Sequence, residues 1–114
     1  MTIRDIVNEL EFTPCCAEEK LNQKVTGGYS GDLLSDVIAN SKAGDVWITM
    51  QVHVNIVAVA VLKELSAIIL VNGRKPSEDT LKKATDEKIP ILVSKLSSFE
   101  TGGKLYELGI GKGT

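Results

Sequence analysis

The chain of 114 residues lacks an apolar run long enough to cross a membrane. Its longest, residues 56–62, has seven residues, whereas a spanning helix needs about 18 or more, so no membrane partner is expected. The first ten residues carry Arg4, Asp5 and Glu9 where a secretory signal would be apolar, which makes the expected compartment cytoplasmic. Charge of one sign is scarce as well: 13 Lys and Arg stand against 15 Asp and Glu, a net charge of −2. Without clustered basic residues, nucleic acid is not an expected partner. Only two cysteines occur, and they are adjacent, Cys15 and Cys16. A disulfide between neighbours is strained, and a metal site would need further ligands that the chain does not supply. They read as buried or half-buried thiols. Internal repeats, low-complexity segments and a Gly-x-x-x-x-Gly-Lys-Ser/Thr phosphate loop are all absent.

What is present is a globular composition, 43% apolar and 25% charged. The length suits one domain with a real core, needing neither disulfides nor metals. We assign that domain to residues 1–110 and read 111–114 as a flexible tail. The stretch 44–73 holds the only Trp, the only His and most of the strongly apolar residues. It reads as strand, helix, strand.

In chain order, residues 2–10 form an opening helix. Thr2 and Asp5 have capping-box spacing, and Ile3, Ile6, Val7 and Leu10 make one apolar stripe. Residues 11–16 form a short strand interrupted by Pro14, and 17–20 turn. Residues 21–26 read as a strand leading into a glycine loop, Gly27-Gly28-Tyr29-Ser30-Gly31. A helix follows over 32–40, with Leu33, Leu34, Val37 and Ile38 on one face, and 45–49 is the next strand. Residues 51–65 read as a helix, since one strand from 46 to 70 would be too long. The apolar run 67–71 fits a strand buried on both faces. Ser77 caps a helix to 88, with Glu78 and Asp79 in its first turn. Residues 89–93 form a strand, and Ser97 with Glu100 opens a last helix to 108, which places Phe99, Gly102, Gly103 and Tyr106 on one side. The alternation predicts an α/β fold: one three-layer domain whose parallel or mostly parallel sheet of four or five short strands is flanked by helices.

In such sheets ligands bind beyond the carboxyl ends of the strands. On this assignment four loops meet there and offer Thr26, Gly27, Gly28, Asp32, Thr49, Gln51, His53, Asn72, Arg74 and Ser94. Helices start just after these loops, so their N–H groups add to Arg74 and Lys75 in a cradle for a phosphate or carboxylate. Each residue also has a local reading. His53 is a base or ligand, or a residue bonding to its own loop. Asp32 and Asp36 have a spacing that could hold a cation, or cap and solvate a helix. Thr26, Gly27 and Gly28 wrap an anion or make a tight turn. Arg74 contacts a ligand or pairs with Glu78 or Asp79. Trp47 belongs to core or interface packing. One His without a visible partner makes a thin catalytic set, so no enzyme activity, catalytic residue, metal or cofactor is assigned.

The helix through 52–62 exceeds what a monomer needs. Val52, Val54, Ile56, Val57, Val59, Val61 and Leu62 cover more of its circumference than one sheet-facing stripe. A second subunit would bury the remainder, which predicts a homodimer or higher homo-oligomer through this helix. A protein-interaction module without a small ligand is the alternative function.

Val25-Thr26-Gly27-Gly28, Gly31-Asp32-Leu33-Leu34-Ser35-Asp36, Trp47-Ile48-Thr49, His53 with Asn55, Ala58-Val59-Ala60 and Gly73-Arg74-Lys75-Pro76 together resemble the DRTGG domain family, over about residues 3–110. That family is related to the N-terminal domain of HPr kinase/phosphorylase. A contiguous Asp-Arg-Thr-Gly-Gly is absent here, and so is the kinase's phosphate loop, so the kinase activity does not carry over. The resemblance implies a non-catalytic regulatory domain binding a small ligand, with a nucleotide or other small anion as the candidate.

Overall fold

The computed structural model describes residues 1–112; positions 113–114 of the predicted tail lie outside the described residues. Eleven segments alternate along the chain. They are α1 (Ile3–Leu10), β1 (Thr13–Pro14), a 3-10 turn (Glu18–Lys20), β2 (Gly27–Ser30), α2 (Leu34–Asn40), β3 (Asp45–Thr49), α3 (Asn55–Leu62), β4 (Ala67–Leu70), α4 (Glu78–Glu87), β5 (Ile91–Val93) and α5 (Ser98–Glu107). The sheet order is β1-β5-β4-β3-β2. Strands β2 to β5 run parallel, and β1 pairs antiparallel at one edge. Pro14 sits on that edge strand, where a missing N–H is tolerated.

Alternation along the central strands separates two apolar layers. Trp47, Ile68, Leu70 and Ile91 face α2, α3 and α4, meeting Val37, Ile56, Val57 and Ala84. Val46, Ile48, Ile69, Val71 and Leu92 face the other way, onto Ile3 and Ile6 of α1 and Leu105 of α5. Every residue of β3, β4 and β5 is buried, as a parallel sheet covered on both faces requires. The α1 capping box forms as read: Asp5 N–H donates to Thr2 Oγ1 and Thr2 N–H to the Asp5 carboxylate. Ser77 and Ser97 cap α4 and α5.

Several boundaries differ from the sequence reading, each for a local reason. Residues 21–26 are not a strand but turns with one bridge, Lys24 to Thr2; Leu21 and Val25 turn inward beneath α1 instead. The strand is the glycine stretch itself. Gly27 lies beside Asp45, whose carboxylate oxygen would be 2.7 Å from any Cβ placed there. The third helix begins at Asn55 rather than 51. The Val52 carbonyl is taken by the hydroxyls of Ser77 and Thr80, which holds residues 50–54 as a loop. Helix α2 begins at Leu34, and of its predicted apolar face Val37 is buried while Leu33 and Ile38 are exposed. Phe99 is 90% exposed, so α5 packs through Thr101 and Leu105, not through a Phe99 face.

Candidate functional site

The predicted site residues divide between the two ends of the sheet. Thr26, Gly27 and Gly28 stand where β2 begins, paired in register with the start of β3. They therefore lie at the amino end of the strands, away from the other seven, and the single ten-residue cradle is corrected to two separate groups.

At the carboxyl end, Asp32, Thr49 and Gln51 do come together. Asp32 Oδ1 accepts from the buried Thr49 hydroxyl at 2.7 Å and from Met50 N–H at 2.8 Å. The Gln51 side-chain amide donates to the Asp32 carbonyl, and Gln51 N–H donates to Thr49 Oγ1. Asp32 thus fastens two loops and does not cap α2, whose N-cap Leu33 has no side-chain bond. Asp36, one turn further on, accepts from Asn40 and from the Tyr29 phenol. The two aspartates serve different partners rather than one cation. The Tyr29 pKa is pushed up to about 12, first by its hydrogen bond to the Asp36 carboxylate.

The helices after β2, β3 and β4 cover one face, and the helix after β5 covers the other. That reversal puts the architectural crevice between the ends of β4 and β5. Here the crevice is zipped: Asn72 N–H donates to the Leu96 carbonyl and Gly73 N–H to the Ser94 carbonyl, both at 2.8 Å. Ser94 is fully buried, its hydroxyl 2.9 Å from Thr101 Oγ1, so it ties β5 to α5 and faces no ligand. Asn72 (φ 57) and Gly73 (φ 68) make the left-handed turn that Asn and Gly tolerate best.

Arg74 and His53 remain exposed above this knot. Neither side chain has a hydrogen-bond or ion-pair partner among the described residues, and Arg74 does not pair with Glu78 or Asp79. The N-terminus of α3 beside His53 has no side-chain cap and no acidic residue in its first turn; Ile56 and Val57 N–H already donate to the His53 and Val54 carbonyls, so what it offers an anion is the positive end of the helix dipole. The start of α4 is different, since Ser77, Glu78 and Asp79 already answer it.

Two features escaped the sequence reading. An open cleft of about 600 Å³ runs along the free margin of β2, between the turn after α2 and helix α5. It includes Thr26, Gly27 and Gly28 together with Asp45, Gly102 and Tyr106. Only the glycine spacing signalled it. The second feature is the thiol pair: burial pushes both pKa values up, and Cys16 Sγ donates to the Ile89 carbonyl at 3.3 Å. Thiols held protonated in this way are weak nucleophiles.

Comparison with known proteins agrees with this architecture. No curated protein matches the chain. Among solved structures, the chain is similar to the CBS and DRTGG domains of the regulatory region of Clostridium perfringens pyrophosphatase, complexed with its activator diadenosine tetraphosphate. The TM-score is 0.70 at 17% identity, over 90% of this chain and 44% of that one. The present chain thus spans less than half of that neighbour, and the likeness concerns the fold. The DRTGG domain pattern matches residues 5–108, nearly the whole length, with Thr26, Gly27 and Gly28 at the head of an edge strand. The chain belongs to the DRTGG domain family.

Proposed function

We propose that this domain is a non-catalytic regulatory module that binds a small anionic ligand, with a nucleotide as the leading class, at the carboxyl end of β3 and β4. The observation that carries the reading is Arg74: an exposed guanidinium with no partner among the described residues, on the same sheet edge as the uncapped start of α3. A planar fork of donors suits phosphate, and the positive end of the α3 dipole adds to it. With the β4–β5 crevice closed by backbone bonds, the ligand would rest on the loop surface between residues 50–54 and 72–75. Support of a different kind comes from the solved neighbour, a regulatory region complexed with a nucleotide activator. The protonated thiols and the unpartnered His53 side chain offer no assembled nucleophile and base, which favours binding over catalysis.

A thermal-shift screen of nucleotides and phosphorylated metabolites tests this. The reading predicts at least one stabilising nucleotide whose affinity falls about tenfold or more in Arg74→Ala, the scale of one lost charged hydrogen bond. A hit that binds Arg74→Ala as well as the parent rules out the cradle.

A second reading, association between copies, has its own observation. Val54, just before α3, and Val61 and Leu62 on it are exposed, Leu62 by 65%, and Leu33 at the start of α2 is exposed by 70%. Helix α3 buries Ile56, Val57, Val59 and Ala60 against the sheet and leaves a second apolar stripe outward. The domain would pair through this stripe in a cytoplasmic regulatory assembly, and the oligomeric state in solution decides it.

A further inference from the structure

The cleft beside β2 has features that neither the fold nor the carboxyl-edge site uses. Its floor includes two glycines that nothing in the protein requires. Gly28 lacks a positive φ, and a Cβ on it would meet only ordinary contacts at 3.7–3.8 Å. Gly102 sits inside α5, where a Cβ would stand 3.8 Å from Ile48 Cδ1. Glycine inside a helix is destabilising against alanine, and glycine inside a strand often marks close approach of a ligand. Both keep bare backbone facing the same opening. Gly27 is different, because the Asp45 carboxylate occupies the place of its side chain.

We propose that this cleft binds a flat heteroaromatic ring bearing an exocyclic amino group, the chemistry of an adenine-type base. The glycine floor gives a thin slot with van der Waals access on its faces. Tyr106, one helical turn beyond Gly102 and 57% exposed, supplies an aromatic surface at its rim. The free margin of β2 supplies polar recognition. Gly31 N–H is spent on the Ile48 carbonyl, and alternation back along β2 in its register with β3 directs the backbone groups of Gly28 and Ser30 outward, where β2 has no neighbouring strand. Asp45 sets the need for a donor. It is only 7% exposed and lines the cleft. Its Oδ2 accepts Lys42 N–H at 2.8 Å, while its Oδ1 accepts no hydrogen bond among the described residues. A carboxylate oxygen open to the cleft, with unused acceptor capacity, favours an amino group. The volume, about 600 Å³, is that of a small-molecule site. A peptide strand laid on the margin would leave the glycine floor and Asp45 without a role.

The proposal is independent of the anion reading, because the cleft contains neither Arg74 nor His53. The probe is therefore a nucleoside without phosphate. Isotope-labelled protein is titrated with adenosine and with inosine, which lacks the amino group, while backbone amides are followed by NMR. Adenosine is expected to shift amides of residues 26–30 and 102–111 and to bind about tenfold tighter than inosine. Gly102→Leu should abolish the shifts. Gly103→Leu, whose Cβ meets nothing within 4 Å, should keep them. Tyr106→Ala, at a position 57% exposed, should weaken binding about tenfold. Arg74→Ala should change nothing. No shift in these amides up to the solubility of adenosine overturns the proposal, as does inosine binding equally well. Unaltered binding by both Gly102→Leu and Tyr106→Ala also overturns it, as do shifts from an extended peptide alone.

Discussion

Replacing Gly44 by alanine should be among the most damaging single-methyl additions in this domain. Gly44 has φ +87, and a Cβ there would lie 2.2 Å from Thr26 Oγ1 and 3.3 Å from Thr26 Cβ. Two costs add. Backbone strain for an L residue at positive φ is about 1–2 kcal/mol, and forcing a methyl against a packed side chain adds about 1–3 kcal/mol. The sum, about 2–5 kcal/mol, is a large part of the roughly 5–15 kcal/mol that holds a domain folded. Gly73 is the internal control, with φ +68 and nothing within 4 Å of a Cβ. Gly73→Ala should carry the backbone part alone, about 1–2 kcal/mol. Thr26→Ala costs little by itself, because its hydroxyl bond to the Ala43 carbonyl is long at 3.3 Å. Combined with Gly44→Ala it removes the nearest clash and should recover about 1–2 kcal/mol. Urea unfolding of the four variants reads these differences. Equal losses for Gly44→Ala and Gly73→Ala, or no coupling in the Thr26–Gly44 cycle, would refute the packing argument.

Other expectations follow from single contacts. Thr2→Ala removes the α1 cap and should lower stability by about 1 kcal/mol, read as a shift in the denaturation midpoint. Tyr29 has its folded pKa raised from 10.0 to about 12 by Asp36. Its contribution to stability is therefore complete below pH 10 and lost as pH rises through about 12. Phenolate absorbance should show this late titration, and Asp36→Asn should return it toward the ordinary value; an unchanged midpoint would sink the pairing. Leu62→Lys, on the outward stripe of α3, should shift any self-association toward monomer in size-exclusion chromatography with light scattering. A parent protein that is already a clean monomer at micromolar concentration contradicts association through α3.

The parts of the fold legible in the sequence were those where one physical signal dominates. The uninterrupted apolar run that includes β4 could only be a covered strand, and Ser77 with Glu78 and Asp79 announced α4. What misled was a signal with two causes. Val52 and Val54 alternate like a strand but fall in a stretch too long for one, which favours helix; capture of the Val52 carbonyl by α4 is a tertiary event that no local pattern shows. Gly27 and Gly28 read as a loop because glycine is rare inside strands. They are a strand because a buried carboxylate and an open cleft occupy the space their side chains would fill. That single misplacement moved three candidate residues to the wrong end of the sheet. It also hid the cleft, which depends on α5 crossing to the far face. Ser94 was misjudged for a related reason: its partner Thr101 is assigned by packing, not by spacing.

The regulatory reading is tested most directly by mapping, on backbone amides, where a phosphorylated nucleotide such as ATP binds. Shifts should concentrate in residues 50–56 and 72–75 and vanish in Arg74→Ala. Saturable binding that leaves those residues unmoved, or the absence of any binding across a broad nucleotide panel, would contradict it.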